Sequence, residues 1–395
     1  MSADQTIREA SAKLDKWVED NGFQGWDPYD ALNSRVLKLL TFGSRLLGVG
    51  WVQLLRRSPV NLRPLLGIEK GYNPKGMGLF FASYLRRYQL TAEPNDLRRA
   101  CFFVEWLAQH VSPGYSGPCW GYNFDWPNRS LYAPAGTPTV VNTVFIADAL
   151  LDGYELIGRN DWLEEARGAC NFILNDLNRH EDDTGTCFSY TPIDRRRVHN
   201  ANVLAGALLA RVARLLGEGD MLATARKAIA YTAARQRADG SWPYGVAFRD
   251  GWVDNFHTGY VLVAVKRASD WLESGEFHEA IRSGYRFWKR NMFLPDGTPK
   301  YYPRRVYPID VHSIAQAILT FLEFSDWDPG AMDWAWRVAL WGIENMQDPT
   351  GYFHYQIWRG YRIRIPYMRW SQAWMQRALT ELLYVKGQGL TPQHR

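Results

Sequence analysis

Cysteine is scarce in this chain: four residues in 395, Cys101, Cys119, Cys170 and Cys187, with no C-x-x-C pair. That scarcity excludes a disulfide scaffold and a cysteine zinc site, and it points to a reducing compartment. A large excess of either charge is lacking too, with 46 Lys and Arg against 41 Asp and Glu. The formal net charge is +5, too small to argue for a nucleic-acid partner. The opening SADQTIREASAKLDKWVED has no basic stub followed by an apolar core, so no secretory signal is expected and the chain reads as cytoplasmic. The most apolar stretch, SRVLKLLTFGSRLLGVGWVQLLRRSP from Ser34, is interrupted by Lys38, Arg45 and several Gly, which argues against a bilayer span. Residues 34–57 are expected to pack as a helix pair on the fold. Contact with the inner membrane face is the sharper alternative. No linker or second domain stands out.

Aromatic residues, by contrast, make up 14% of the chain, with 18 Trp and 21 Tyr. Many fall in Gly- and Pro-rich loops, where they suit stacking on sugar rings. The other feature is a repeat. Turns bearing Asn, His or Trp run into short apolar segments: NPKGMGLFFASYL from Asn73, NTVFIADALL from Asn142, HNANVLAGALLARV from His199, HTGYVLVAV from His257, HSIAQAILTFL from His312 and WSQAWMQRAL from Trp370. After a first interval lengthened by an insert at 112–138, they recur about every 55 to 60 residues. Six one-sided amphipathic segments alternate with them: the stretch at 34–56, then segments from Asp96, Asp161, Asp220, Glu276 and Gly330. Several of these start with Asp, an N-cap signal. Helices apolar nearly all round suit an inner ring, and one-sided helices suit an outer one. The reading is all-α: a single (α/α)6 toroid over residues 1–395, with small β-hairpin loops at the rim and 112–138 as a lid. Six polar helix starts would then meet at one mouth.

His199, His257 and His312 share one phase of the repeat. A helix N-terminus disfavours the imidazolium, so such a His is suited to act as a neutral base. His257 and His312 are the candidate acid/base pair, with His199, Asn142, Asn202 and Asn255 fixing substrate. Asp254 and Asp310 precede two of these helices and stay open to two readings: N-caps, or a carboxylate pair for glycoside hydrolysis. Asp125 in the lid is a third acidic candidate. Arginines cluster before helix starts, at 195–197, at 304–305, and at 359, 362, 364 and 369. Guanidinium groups grip carboxylates bidentately, so Arg305, Arg364 and Arg369 predict an anionic oligo- or polysaccharide. Trp120, Trp242, Tyr244 and Trp370 are candidate stacking platforms. Tyr367, with Tyr355 and Tyr361, is a candidate acid or base. Removing the C5 proton of a uronate and returning one to the opposite face gives epimerisation; expelling the 4-linked sugar gives β-elimination. Neither reaction requires a cofactor, and no short ligand spacing among the His residues suggests a metal.

The alternation of helices with polar inner starts resembles the (α/α)6 toroids of carbohydrate-active enzymes, including N-acylglucosamine 2-epimerases, unsaturated glucuronyl hydrolases and toroidal polysaccharide lyases. Between Val203 and Gly245, VLAGALLARVARLLGE and ARKAIAYTAARQRADGSWPYG are most similar to the C-terminal domain of heparan glucuronyl C5-epimerases. That resemblance implies an enzyme acting on a uronic-acid-containing glycan; it carries no catalytic residue across by position. QRADGSWPYG and MQDPTGYFHYQ also resemble the Q-x-x-D-G-x-W repeats of squalene and diterpene cyclases, whose D-x-D-D acid run is absent here. Three alternatives therefore stay open: a hydrolase using Asp254 and Asp310, a terpene-cyclase-like toroid, and a non-catalytic glycan-binding protein.

Overall fold

The computed structural model describes residues 2–128 and 131–388. Helices α1 (Ala3–Asp20), α2 (Arg35–Leu39) and α3 (Arg45–Arg57) open the chain. Hairpins follow: α4 (Pro74–Thr91) with α5 (Pro94–Gln109), α6 (Val140–Ile157) with α7 (Asn160–Asn175), and α8 (His199–Leu216) with α9 (Gly219–Ala233). Then come α10 (Asn255–Trp271) with α11 (His278–Asn291), α12 (Val311–Glu323) with α13 (Ala331–Met346), and finally α14 (Trp374–Gly387). Helices α4, α6, α8, α10, α12 and α14 each touch the next, and α14 touches α4, which closes an inner ring. Burial explains the placement. Helix α8 buries every residue from His199 to Ala213, whereas α11 buries one stripe, Ile281, Gly284, Tyr285 and Trp288. The fold is an (α/α)6 toroid, as expected. Among the described residues no helix is long and apolar enough to cross a membrane.

The sixth outer position is filled by α1, not by residues 34–57. Ile7, Ala10, Leu14 and Val18 give α1 a buried stripe, which packs on α13 and α14. The 34–57 stretch breaks at Phe42 and Gly43, where φ is 48° and 74°. Its two helices, α2 and α3, surround a small core of their own formed by Ala31, Leu37, Val52, Leu55 and Ile68. A second expectation also shifts. Asp96, Asp161 and Asp220 lie inside the first turns of outer helices, facing the positive end of the dipole, rather than at N-caps. Side-chain caps sit on four inner helices, at Asn73, Thr139, Asp254 and Asp310, and on α1, at Ser2.

The strands are rim furniture. β1 (Trp126–Pro127) pairs with β2 (Tyr132–Ala133) in the lid, and β3 (Arg179–Asp182) with β4 (Gly185–Phe188). β5 (Ile309–Asp310), β6 (Gln356–Trp358) and β7 (Tyr361–Ile363) form an antiparallel sheet in that order. The loops preceding inner helices share one clamp. Gly185, Gly240, Gly297 and Gly351 all have positive φ, and a Cβ on them would come within 2.2, 2.5, 2.8 and 2.3 Å of α9, α11, α13 and α1 respectively. Gln236 Nε2 donates to Gly240 O at 3.0 Å and to Ala280 O of α11 at 2.8 Å. Gln347 repeats this with Gly351 O at 2.9 Å and Ala10 O of α1 at 2.8 Å. The Q-x-x-x-G turns at Gln236 and Gln347 therefore stitch neighbouring hairpins together, and α1 takes the same stitch as α11.

At the end of the ring opposite these loops, side chains from all six inner helices form a charged belt. Arg86 comes from α4, Asp148 and Asp152 from α6, Arg211 from α8, Arg267 from α10, Glu323 from α12, and Arg377 and Glu381 from α14. Arg211 reaches Asp152 at 2.8 Å and Glu155 at 3.0 Å, and also contacts Asp148. Burial pushes Asp152 up, but arginines led by Arg211 outweigh it and hold the carboxyl below the usual range.

Candidate active site

At the opposite end, the inner-helix N-termini bring side chains from five helices within reach of one another. The His312 ring lies 4.6 Å from both Trp370 and Trp374, and Phe145 lies 5.1 Å from Trp374 and 5.4 Å from Tyr260. Residues 21–73 and the lid roof this cluster. Arg369 grips Asp27 bidentately at 2.6 and 2.8 Å, Arg56 donates to the Tyr355 hydroxyl at 2.6 Å, and Lys38 pairs with Asp125 at 2.6 Å.

Asp254 does two jobs. One carboxylate oxygen accepts the His257 backbone N–H at 2.8 Å, capping α10; the other meets His257 Nδ1 at 2.7 Å. An ionised carboxylate only accepts, so Nδ1 carries the proton and Nε2 is left as the basic nitrogen. His257 also packs edge-on to Tyr244, at 4.7 Å, and Tyr244 stacks on Trp252 at 4.3 Å. On the next inner helix, His312 Nε2 shares a very short hydrogen bond with Tyr260, while its Nδ1 is buried without a partner. Burial, helped by the charge of Arg369, holds His312 well below its ordinary value. The Tyr260 ring lies 6.0 Å from His257 and 5.9 Å from His312, and Phe256 packs closer to both imidazoles, at 4.1 and 4.7 Å.

Lys75 is the unexpected member. Its ammonium position is caged by Phe145, Trp374 and Tyr260 at 4.3, 5.2 and 5.5 Å, and no carboxylate among the described residues pairs with it. Burial, then Arg369, pushes its pKa well below the lysine range, which favours a neutral amine. Beneath the cage lies an axial cavity of about 100 Å3, lined by Phe145, Tyr260, Trp271, Gln316 and Trp374 and bounded by the charged belt. A second hollow opens beside His257, between Asn200, Tyr244 and Trp252.

The other expected residues divide. Trp370 stands beside His312, and Asn142 is fully buried with both amide atoms unpartnered. His199 is buried with neither ring nitrogen paired. Asp310 is held by three donors, His312 N at 2.9 Å, Trp370 Nε1 at 2.9 Å and Gln356 Nε2 at 2.5 Å. It is a cap, and burial raises its pKa. Asn202 and Asn255 are staples: Asn202 takes Phe188 N and donates to Ala228 O, while Asn255 bridges Trp288 and Lys300 O. Trp120 and Trp242 are buried between helices, donating to Leu107 O and Thr232 O, so neither presents a face to a ligand. Tyr367 is buried under the Arg63 guanidinium at 4.7 Å, within the roof. Arg369 is neutralised by Asp27, whereas Arg305 and Arg364 are exposed on the rim. Asp125 ties the lid to α2 and accepts from Tyr132. Among the described residues, no three His, Cys, Asp or Glu gather as a metal site. Lys75 and Tyr260 are new to the site. The signal for Lys75 was a lone cation at the start of an otherwise apolar inner helix, where the dipole disfavours it.

No family model and no curated protein matches this chain. Solved structures do. A cellobiose 2-epimerase from Bacillus thermoamylovorans superposes with a TM-score of 0.62 at 11% identity, covering 80% of this chain and 90% of that one. A GH76 alpha-mannanase from Bacteroides thetaiotaomicron gives 0.62 at 12%, covering 81% and 88%. The Lin0763 protein from Listeria innocua gives 0.64 at 15% over the full length of both. At such identities the likeness is one of fold.

Proposed function

We propose that this chain is a carbohydrate epimerase or isomerase acting by proton transfer at a carbon beside a carbonyl or carboxylate. The observation that carries the reading is the Asp254–His257 dyad near the His312–Tyr260 pair, with the Tyr260 ring about equally far from the two imidazoles. In this reading His257 Nε2 takes the proton while Asp254 holds the tautomer, and the His312–Tyr260 pair returns one from a second direction. Burial favours the neutral forms of His312 and of the Tyr260 hydroxyl bonded to it. Tyr244 and Trp252 offer a stacked aromatic surface beside the dyad for a sugar ring.

Uronate C5 epimerisation fits this chemistry, with β-elimination as the alternative fate of the same carbanion. Of the three arginines expected to bind carboxylates, Arg369 is neutralised and Arg305 and Arg364 are exposed, so an anionic glycan would lie across the rim. A two-carboxylate hydrolase is less well matched, because Asp310 is buried and held by three donors and Asp254 is bound to His257. The sugar epimerases among its structural neighbours support the class without fixing the substrate. The test is incubation with uronate polymers and with neutral disaccharides in deuterated water. Carbon-bound deuterium without cleavage, lost in His257→Asn, is the expected result. New reducing ends without deuterium would mean a hydrolase and end the proposal.

A further inference from the structure

The roof that covers the mouth carries an outward surface of a different character. Between Asp30 and Glu69 there is no acidic residue, while Arg35, Lys38, Arg45 and Arg57 are exposed there; Arg56 and Arg63 turn inward, to Tyr355 and Asp30. The same segment exposes large apolar side chains: Phe42 is 83% exposed, Leu39 76% and Leu46 70%. On α3 the outward residues are Leu46, Leu47, Gly50, Leu54 and Arg57, one continuous stripe at helical spacing opposite buried Val52 and Leu55. Phe42 sits at the tip of the α2–α3 turn in a positive-φ conformation, which projects its ring away from the fold. Lys38 is engaged with Asp125, but among the described residues Arg35, Arg45 and Arg57 have no carboxylate partner.

We infer that α2, the Phe42 turn and α3 form a docking face for an anionic lipid bilayer. An apolar stripe flanked only by cations matches an interface with acyl chains below and phosphates around it. A protein partner is less well matched, since a surface with no acid has nothing to offer that partner's own arginines and lysines. The face lies on the surface instead of spanning, consistent with a 13-residue α3. Arg56 links this face to Tyr355 and so to the rim of the candidate site. Docking would set the mouth against the headgroup layer, where a lipid-borne saccharide is presented.

The full chain is tested by co-sedimentation with vesicles of phosphatidylcholine alone and with about 30% phosphatidylglycerol. The expected result is binding to the anionic vesicles, weakened by added salt and reduced about a hundredfold in Leu39→Ser/Phe42→Ser/Leu46→Ser. These side chains are exposed, so the variant should keep the wild-type circular dichroism and melting curve. Arg35→Glu/Arg45→Glu provides a second probe that leaves the apolar face intact and should lose the anionic preference. Wild-type protein remaining in the supernatant, or serine variants that sediment equally well, would overturn the inference. So would vesicle-independent dimers that the serine substitutions dissociate, which would assign the face to a second copy of this chain. None of these readouts needs turnover, so they stand apart from the proposed sugar chemistry.

Discussion

His199 offers a measurement that needs no substrate. Burial, followed by Arg235 and Arg197, lowers its pKa from the ordinary 6.5 to about 4, and neither ring nitrogen has a partner. The folded protein therefore refuses a proton that the unfolded chain accepts below about pH 6.5. Stability is complete above that value and is lost as the pH falls toward 4, at about 1.4 kcal/mol per pH unit. With those two midpoints, this one side chain removes about 2 kcal/mol between about pH 7.5 and about pH 5. His312 adds a loss of the same sign, so the useful quantity is the difference from His199→Leu, which cannot titrate. Urea unfolding of both proteins at both pH values should show the variant losing about 2 kcal/mol less than wild type. Equal losses would mean that His199 titrates normally in the fold and that the mouth is wetter than the packing implies.

Asp254→Asn keeps the cap on His257 N, so stability should change by less than about 1 kcal/mol. Its amide would donate to Nδ1 and impose the wrong tautomer, cutting isotope exchange by about 10²- to 10⁴-fold; a loss below about threefold would remove His257 from its role. Lys75→Met should lower activity yet raise the thermal midpoint near neutral pH. The folded amine is held neutral while the unfolded one binds a proton, and that advantage should shrink as the pH rises toward 10.5. Arg211→Met leaves Asp148 and Asp152 short of their main partner and should cost about 3–5 kcal/mol by calorimetry. An unchanged melting temperature would show that the belt contributes nothing to stability.

The inner ring was legible because its helices are apolar on every side and recur at a fixed interval. Asp254, His257 and His312 were legible because they share one phase of that repeat. Pairings across the ring were not. Arg369 reads as a free guanidinium until Asp27, 342 residues away, is seen to occupy it. Helix α1 looks like any amphipathic helix, and nothing local says that its partner is the last helix of the ring. Trp120 and Trp242 lie in loops that composition assigns to ligand binding, yet each loop folds inward and hides its indole between helices. Lys75 was passed over because a single charge does not disturb an apolar pattern.

The seam between α1 and α14 divides one hairpin between the two ends of the polypeptide. Gln347 reaches Ala10 across 337 residues, and Lys386 pairs with Asp4 at 2.8 Å. During synthesis α1 emerges before the rest of the ring, with its apolar stripe uncovered, and must wait for α13 and α14 before it can dock. A permuted gene joining residue 388 to residue 2 by a short linker, and opened instead between α7 and α8, would turn that late closure into an ordinary local turn. The same ring should then assemble faster and with less need of a chaperone.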